Sequence, residues 1–252
     1  MKKNELKMKL VLLSLLATLG INSYNNTVYA KDEGTTQHIS SMKNNSILLM
    51  NKVKYYSNVF GIKEECIVDY IKRMYSEEGH EDFLEMNIEL QTLTAARNLY
   101  YTYDESYKTN TDYEVTLEIE ELVEKYSEIY GINKEVALSI VYCECGSDVD
   151  SYNYLVNNNP AGLGPYMYFE NKEIGVIYFI DLLKYDYGCT KDSGTEFLSS
   201  IASTYCENPS HWLDLTTPFY YNLVEDYYYK KPELRDKKKI IPQSLKIEEK
   251  LK

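Results

Sequence analysis

The residues best placed to do chemistry lie between Ile132 and Tyr168. Val136, Ala137, Leu138, Ile140, Val141, Tyr142 and Cys143 are interrupted only by Ser139 and run into Glu144-Cys145-Gly146. A helix that is apolar round most of its circumference belongs inside a domain. Glu144 falls on the row of Val136 and Ile140, and Gly146 suits a helix C-terminus, so the carboxyl should project from the last turn at the edge of the core. Partial desolvation and the negative end of the helix dipole both disfavour a carboxylate there. A carboxylic acid kept protonated near neutral pH can protonate a leaving oxygen. Taken by position alone, a glutamate that faces solvent or pairs with a lysine is the plainer reading.

The chain beyond Gly146 favours chemistry. Asn157-Asn158-Asn159-Pro160-Ala161-Gly162-Leu163-Gly164-Pro165-Tyr166 is a turn-forming stretch whose amides suit sugar hydroxyl and acetamido groups. Gly162 and Gly164 let backbone approach a ligand, and Tyr166, Tyr168 and Phe169 offer flat apolar faces on which pyranose rings can lie. The chain holds 27 tyrosines, so tyrosine enrichment alone says little about sugars. The placement after Glu144 carries the reading.

Three elements, in this order and spacing, resemble the lysozyme-like domains of bacterial wall-degrading glucosaminidases and lytic transglycosylases. They are the apolar helix ending in Glu144-Cys145-Gly146, the Asn-Asn-Pro-Ala-Gly-Leu turn, and Ile201-Ala202-Ser203-Thr204-Tyr205-Cys206-Glu207-Asn208-Pro209 with Trp212. The resemblance covers roughly residues 117 to 229. It implies that Glu144 and Tyr205 are catalytic, Tyr205 helping to hold substrate or the transition state. It further implies that Asn158, Asn159, Ala161, Gly162, Tyr166, Tyr168 and Trp212 contact a peptidoglycan glycan strand. The family usually has serine where this chain has Cys145, and the sequence after Leu163 is shortened.

Two carboxylates normally frame a hydrolysed glycosidic bond. Asp148 and Asp150 are near in sequence, yet neither has a helical reason to face Glu144 once Gly146 ends the helix. A single-acid mechanism is more economical. Glu144 protonates the glycosidic oxygen, the substrate's own acetamido or hydroxymethyl group stabilises or captures the anomeric centre, and Glu144 then acts as base. No cofactor is expected. His38, His80 and His211 are isolated, which leaves no metal-ligand spacing and no catalytic triad.

Lys2, Lys3, Lys7 and Lys9 precede an apolar run from Leu10 to Leu19, and Val28-Tyr29-Ala30 has small residues at the cleavage positions. That pattern predicts a secretory signal peptide over residues 1–30, hence a secreted or cell-wall-associated protein with no stable membrane insertion after cleavage. The chain carries 27 basic and 39 acidic residues, a formal charge of −12. Cleavage would make it about −15, which argues against nucleic acid as a partner. The one basic concentration is the tail, residues 230–252. Five cysteines leave an odd thiol. A bridge from Cys143 or Cys145 to Cys189 or Cys206 would brace the helix end, and small buried free cysteines explain the pattern equally well.

An internal echo runs through the chain. Val53, Tyr56, Ser57, Gly61, Ile62 and Glu65 recur seventy residues later as Val123, Tyr126, Ser127, Gly131, Ile132 and Glu135, while Met74 stands where the later copy has Glu144. A degenerate duplication and a common helical hairpin both fit. Periodicity predicts helices near 48–60, 63–76, 81–100, 115–130, 133–145, 172–185, 195–206 and 217–229. Asn133 should N-cap the helix that ends in Glu144, and Ser193 with Glu196 has capping-box spacing. The expected fold is mainly α. A signal peptide (1–30) and a flexible lead (31–46) precede a smaller helical region (47–114), a lysozyme-like helical domain (115–229) and the basic tail. Three functions are open: a peptidoglycan glycosidase or lytic transglycosylase, a non-catalytic glycan-binding or surface-assembly protein on the same fold, and an exported helical interaction protein.

Overall fold

The computed structural model describes residues 33–77, 87–146, 151–164 and 167–230. The signal peptide, Asp148, Asp150, Tyr166 and the tail beyond Lys230 lie outside the described residues. The protein is mainly α, with no strand among the described residues, and divides into two units between Val115 and Thr116.

Unit 1 holds α1 (Glu33–Phe60), α2 (Glu64–Glu77), α3 (Ile88–Tyr101) and a 3₁₀ turn (Glu105–Tyr107). The expected lead over 31–46 is mostly helix, since α1 begins at Glu33. No proline and no glycine interrupt the chain from Thr35 to Phe60, so polarity alone does not end the helix. Unit 2 holds α4 (Ile119–Tyr130), α5 (Lys134–Cys145), α6 (Tyr152–Asn157), α7 (Lys172–Asp181, continued by a π turn, Leu182–Asp186), α8 (Thr195–Tyr205) and α9 (Pro209–Lys230). Two differences from the periodicity bear on the site. Helix α6 is too short to show a repeat, and α9 begins at Pro209 rather than near 217. Proline at the first position gives up no hydrogen bond. That start is what puts Trp212 on a helix.

The units share one plan. In each, the first helix ends at a left-handed glycine, Gly61 (φ 61°) or Gly131 (φ 67°). The next isoleucine N–H bonds back five residues, Ile62 to Ser57 O at 3.0 Å and Ile132 to Ser127 O at 2.9 Å, a Schellman closure with a buried apolar residue after the glycine. Helix α3 in unit 1 and α7 in unit 2 each start on a capping asparagine: Asn87 accepts from Leu90 N and Asn171 from Ile174 N. Two residues on, Glu89 accepts from the Tyr56 hydroxyl (3.2 Å) and Glu173 from the Tyr126 hydroxyl (2.5 Å). The segment after that helix returns to the turn, with Lys63 N on Tyr107 O and Asn133 N on Thr190 O. Beyond a helical hairpin, the two units therefore share an Asn-x-Glu helix start whose glutamate accepts from a tyrosine of the first helix. The units differ in the interval from glycine to capping asparagine: Gly61 to Asn87 in unit 1, and the longer Gly131 to Asn171 in unit 2. The extra residues of unit 2 carry α6 and the asparagine loop.

In unit 2, α4 supplies the stripe Ile119, Leu122, Val123, Tyr126 and Tyr130, all buried. Helix α5 is buried from Val136 to Val141 and packs against α4 and α9. Its one interior hydroxyl, Ser139, bonds to Val136 O (2.8 Å). The N-cap is Asn133, as its position predicts, with its side chain accepting from Val136 N at 3.1 Å. The capping box expected of Ser193 and Glu196 does not form. Gly194 is the N-cap of α8, and the Ser193 hydroxyl instead accepts from Thr190 N (2.9 Å). No described helix is long and apolar enough to cross a membrane.

Candidate active site

Glu144 sits in the last turn of α5, half-buried. Burial raises its pKa above the ordinary glutamate value, and a hydrogen bond from the Trp212 indole opposes that rise. The indole N–H donates to Glu144 Oε1 at 3.0 Å. Indole is a donor only, so Oε1 is the accepting oxygen and an acid proton belongs on Oε2. Oε2 lies against the backbone of Gly162, and a Cβ built there would stand 2.6 Å from it. Gly162 also has φ +62°, a conformation that disfavours any side chain. Replacing it with alanine should displace the carboxyl. We expect melting to fall by an amount corresponding to about 1–2 kcal/mol, and any chemistry dependent on Glu144 to fall about 10²-fold. Thermal denaturation and turnover measured on one preparation would check both.

The loop that carries Gly162 is built from its own side chains. Asn159 is buried; its amide donates to Leu163 O (3.0 Å) and Met167 O (3.4 Å), and its oxygen accepts from Leu163 N (3.0 Å). Asn158, at φ 53°, donates to Phe169 O (2.8 Å). These two asparagines therefore shape the loop from within, a different use from the sugar contacts expected of them. Their signal was ambiguous because an amide that suits a sugar also suits a turn. Gly175 was not anticipated. It lies in α7 with the Asn158 carbonyl where a Cβ would be, 2.0 Å away. A lone glycine inside an apolar helix costs about 1 kcal/mol relative to alanine, which is the sequence signal that it serves packing.

Two further contacts tie the loop to its neighbours. Cys145 is buried, and its thiol donates to Pro160 O at 2.9 Å. The Tyr205 hydroxyl, at the end of α8, donates to Ala161 O at 2.6 Å. Burial, and then the nearby Glu144 charge, hold the Tyr205 phenol well above its usual pKa, so it stays a donor. Tyr205 packs on Trp212 with ring centroids 5.1 Å apart, which joins the loop, α8 and α9 around Glu144. Serine at 145 keeps a donor for Pro160, whereas valine leaves that buried carbonyl unpaired. We expect Cys145→Ser to be nearly neutral and Cys145→Val to destabilise by about 1–3 kcal/mol, read from urea midpoints.

Of the residues expected at a site, the structure brings together Glu144, Gly162, Ala161, Tyr205 and Trp212. Trp212 and Ala161 are buried, so they support the site from behind. Tyr168 is 62% exposed and makes none of these contacts. Beside the loop is an open cavity of about 240 Å³, walled by Gly162, Leu163, Met167, Tyr178, Tyr187 and Tyr205. Sequence reading did not single out Tyr178 or Tyr187, because their approach depends on how α7 and its π turn pack. Glu144 itself does not line the cavity; it meets the loop at Gly162. All five cysteines are free thiols, so of the two readings of their pattern, a bridge to Cys189 or Cys206 and unpaired cysteines, the structure has the second. Two of the thiols are turned elsewhere: Cys145 to Pro160 O and Cys189 toward Thr190 O. No cluster of metal-ligating side chains occurs among the described residues. Comparison with protein-family models, with curated proteins and with solved structures found no match to this chain.

Proposed function

We propose that unit 2 is a peptidoglycan-cleaving glycosidase of N-acetylglucosaminidase or lytic transglycosylase type, acting outside the cell on the glycan strand. The observation that carries this reading is the pairing at Glu144. Its carboxyl is half-buried, one oxygen is fixed by the Trp212 N–H, and the other faces a glycine in a loop held rigid from within. Such a carboxyl, with burial raising its pKa, is suited to holding the proton that a general acid delivers.

In the proposed reaction Glu144 Oε2 delivers its proton to the glycosidic oxygen as the bond to the anomeric carbon breaks. The substrate's acetamido or hydroxymethyl oxygen supplies electrons to that carbon. Glu144, now a carboxylate, then accepts a proton from the attacking water or hydroxyl. Tyr205 keeps its proton on Ala161 O and so fixes the loop against which the sugar lies. The cavity is smaller than the ~300–1,000 Å³ of sites that enclose a whole ligand. It suits one substituent of a strand that continues beyond it.

A glycan-binding protein without cleavage is the second reading, and it draws on Glu144 lying off the cavity lining. Digestion of purified cell walls and identification of the released ends separates the two. Reducing ends mean a hydrolase, anhydro-sugar ends mean a transglycosylase, and binding without products supports the second reading.

A further inference from the structure

Glu144 does not line the cavity beside the loop, yet a run of aromatic rings joins the two. Tyr187, in the described cavity wall, has its ring centroid 6.2 Å from that of Tyr205. Tyr205 lies 5.1 Å from Trp212, whose indole N–H donates to Glu144 Oε1 at 3.0 Å. Tyr205 commits its hydroxyl to Ala161 O and Trp212 is buried, whereas Tyr187 is partly exposed.

The backbone puts Tyr187 there. Helix α7 sends Tyr178 and, one turn on, Leu182 to the cavity wall. Tyr187 is nine residues beyond Tyr178, about two and a half turns of an α-helix, so continued α geometry would carry it to the opposite face. The π turn from Leu182 to Asp186 corrects that offset. Tyr187 N donates to Leu182 O, five residues back, at 3.2 Å, which brings Tyr187 round to the side of Leu182. The buried Leu183 and Cys189 anchor the turn, with Cys189 N donating to Leu183 O at 2.8 Å. π turns are rare in helices and recur at functional sites. Tyr178 is committed elsewhere, since its ring packs on Phe169 at 5.3 Å.

We propose that Tyr187 is a substrate-positioning residue of unit 2. Resting on the function proposed for that unit, its ring packs on a sugar whose substituent enters the cavity, and through Tyr205 and Trp212 it ties that binding to the carboxyl of Glu144. The Tyr187 phenol stays neutral, because burial and then the Asp186 charge raise its pKa. It therefore presents a flat apolar face with an uncharged donor, which suits the C–H face and hydroxyl groups of a sugar. The charges that bear on these rings are carboxylates, Asp186 on Tyr187 and Glu144 on Tyr205, and they favour a neutral occupant over an anionic one.

The test uses the full chain carrying Glu144→Gln, which keeps an acceptor for Trp212 and cleaves nothing. A neutral tetramer of β-1,4-linked N-acetylglucosamine is titrated in while the emission of Trp212, the only tryptophan of the chain, is followed. The expected result is a saturable change in emission, with a Kd that rises about tenfold in Tyr187→Ala and in Tyr187→Leu. Leucine keeps apolar bulk against Tyr205 and loses the flat face, so it carries the test where melting curves show that alanine unsettles the turn. Tyr185→Ala, on the same turn and 58% exposed, should bind as the parent does. Unchanged affinity in both Tyr187 variants, an equal loss in Tyr185→Ala, calorimetric binding that leaves Trp212 emission unaltered, or no binding of the tetramer would overturn the proposal. Tyr187-dependent binding by a protein whose wild type leaves walls uncut would uphold it and sink the cleavage reading of unit 2. Walls cut equally fast by wild type and by Tyr187→Leu would do the reverse.

Discussion

Replacing Glu144 with glutamine should lower wall cleavage by about 10²–10⁴-fold, the contribution expected of a positioned general acid, while leaving the fold intact. Glutamine has the same shape, and its side-chain oxygen can still accept from the Trp212 N–H. The direction of the pKa shift sets the pH dependence. Burial raises the Glu144 pKa in the folded protein, so the protonated form favours folding. That contribution is complete below the unfolded-state value and is lost as pH rises through the folded-state value. Glutamine never ionises, so the variant should melt at least as high as the wild type at neutral pH. Wild-type activity should fall as pH climbs through the raised value, since a carboxylate has no proton to donate. Melting curves at acid and neutral pH, beside a pH–rate profile, check these signs.

Replacing Glu173 with alanine should destabilise unit 2 by about 3–5 kcal/mol, the range for breaking a buried charge network. Glu173 is fully buried in the first turn of α7 and accepts from Lys125 (2.9 Å) and the buried Tyr126 hydroxyl (2.5 Å). Alanine takes the acceptor from both donors and loosens α7 from α4, which indirectly frees the loop resting on Gly175. The equivalent Glu89 in unit 1 is the control. Its side chain is 26% exposed, pairs with Lys52 near the surface and accepts from the Tyr56 hydroxyl, so Glu89→Ala should cost less, about 1–2 kcal/mol. Urea midpoints of the two variants measure the contrast. Equal shifts would show that burial does not set the difference.

The sequence was most legible where one physical signal dominates. The stripe from Ile119 to Tyr130 could belong only to an amphipathic helix, and the run from Val136 to Val141 only to a buried one. Asn133 and Gly131 marked the turn between them because few residues cap a helix or accept a positive φ. The signals that stayed ambiguous were those with two physical uses. Pro209 reads as the end of a tyrosine motif and equally as a helix start, and the second use moved Trp212 from substrate face to partner of Glu144. Asn158 and Asn159 could bond a sugar or their own loop, and the loop has them. Cys145 could have joined a disulfide, yet its thiol serves as a donor to Pro160 O. The shared plan was half visible, since the longer interval in unit 2 puts Asn171 and Glu173 out of register with Asn87 and Glu89. Only the Tyr–Glu bonds bring the two halves of the pattern together.

Glycan cleavage through Glu144 is tested by mass-spectrometric counting of soluble sugar fragments released from purified cell walls by wild type and by Glu144→Gln. Fragments from the wild type with almost none from the variant are predicted. Equal release by both, or none by the wild type, would rule out Glu144 as the acid that cuts the glycan.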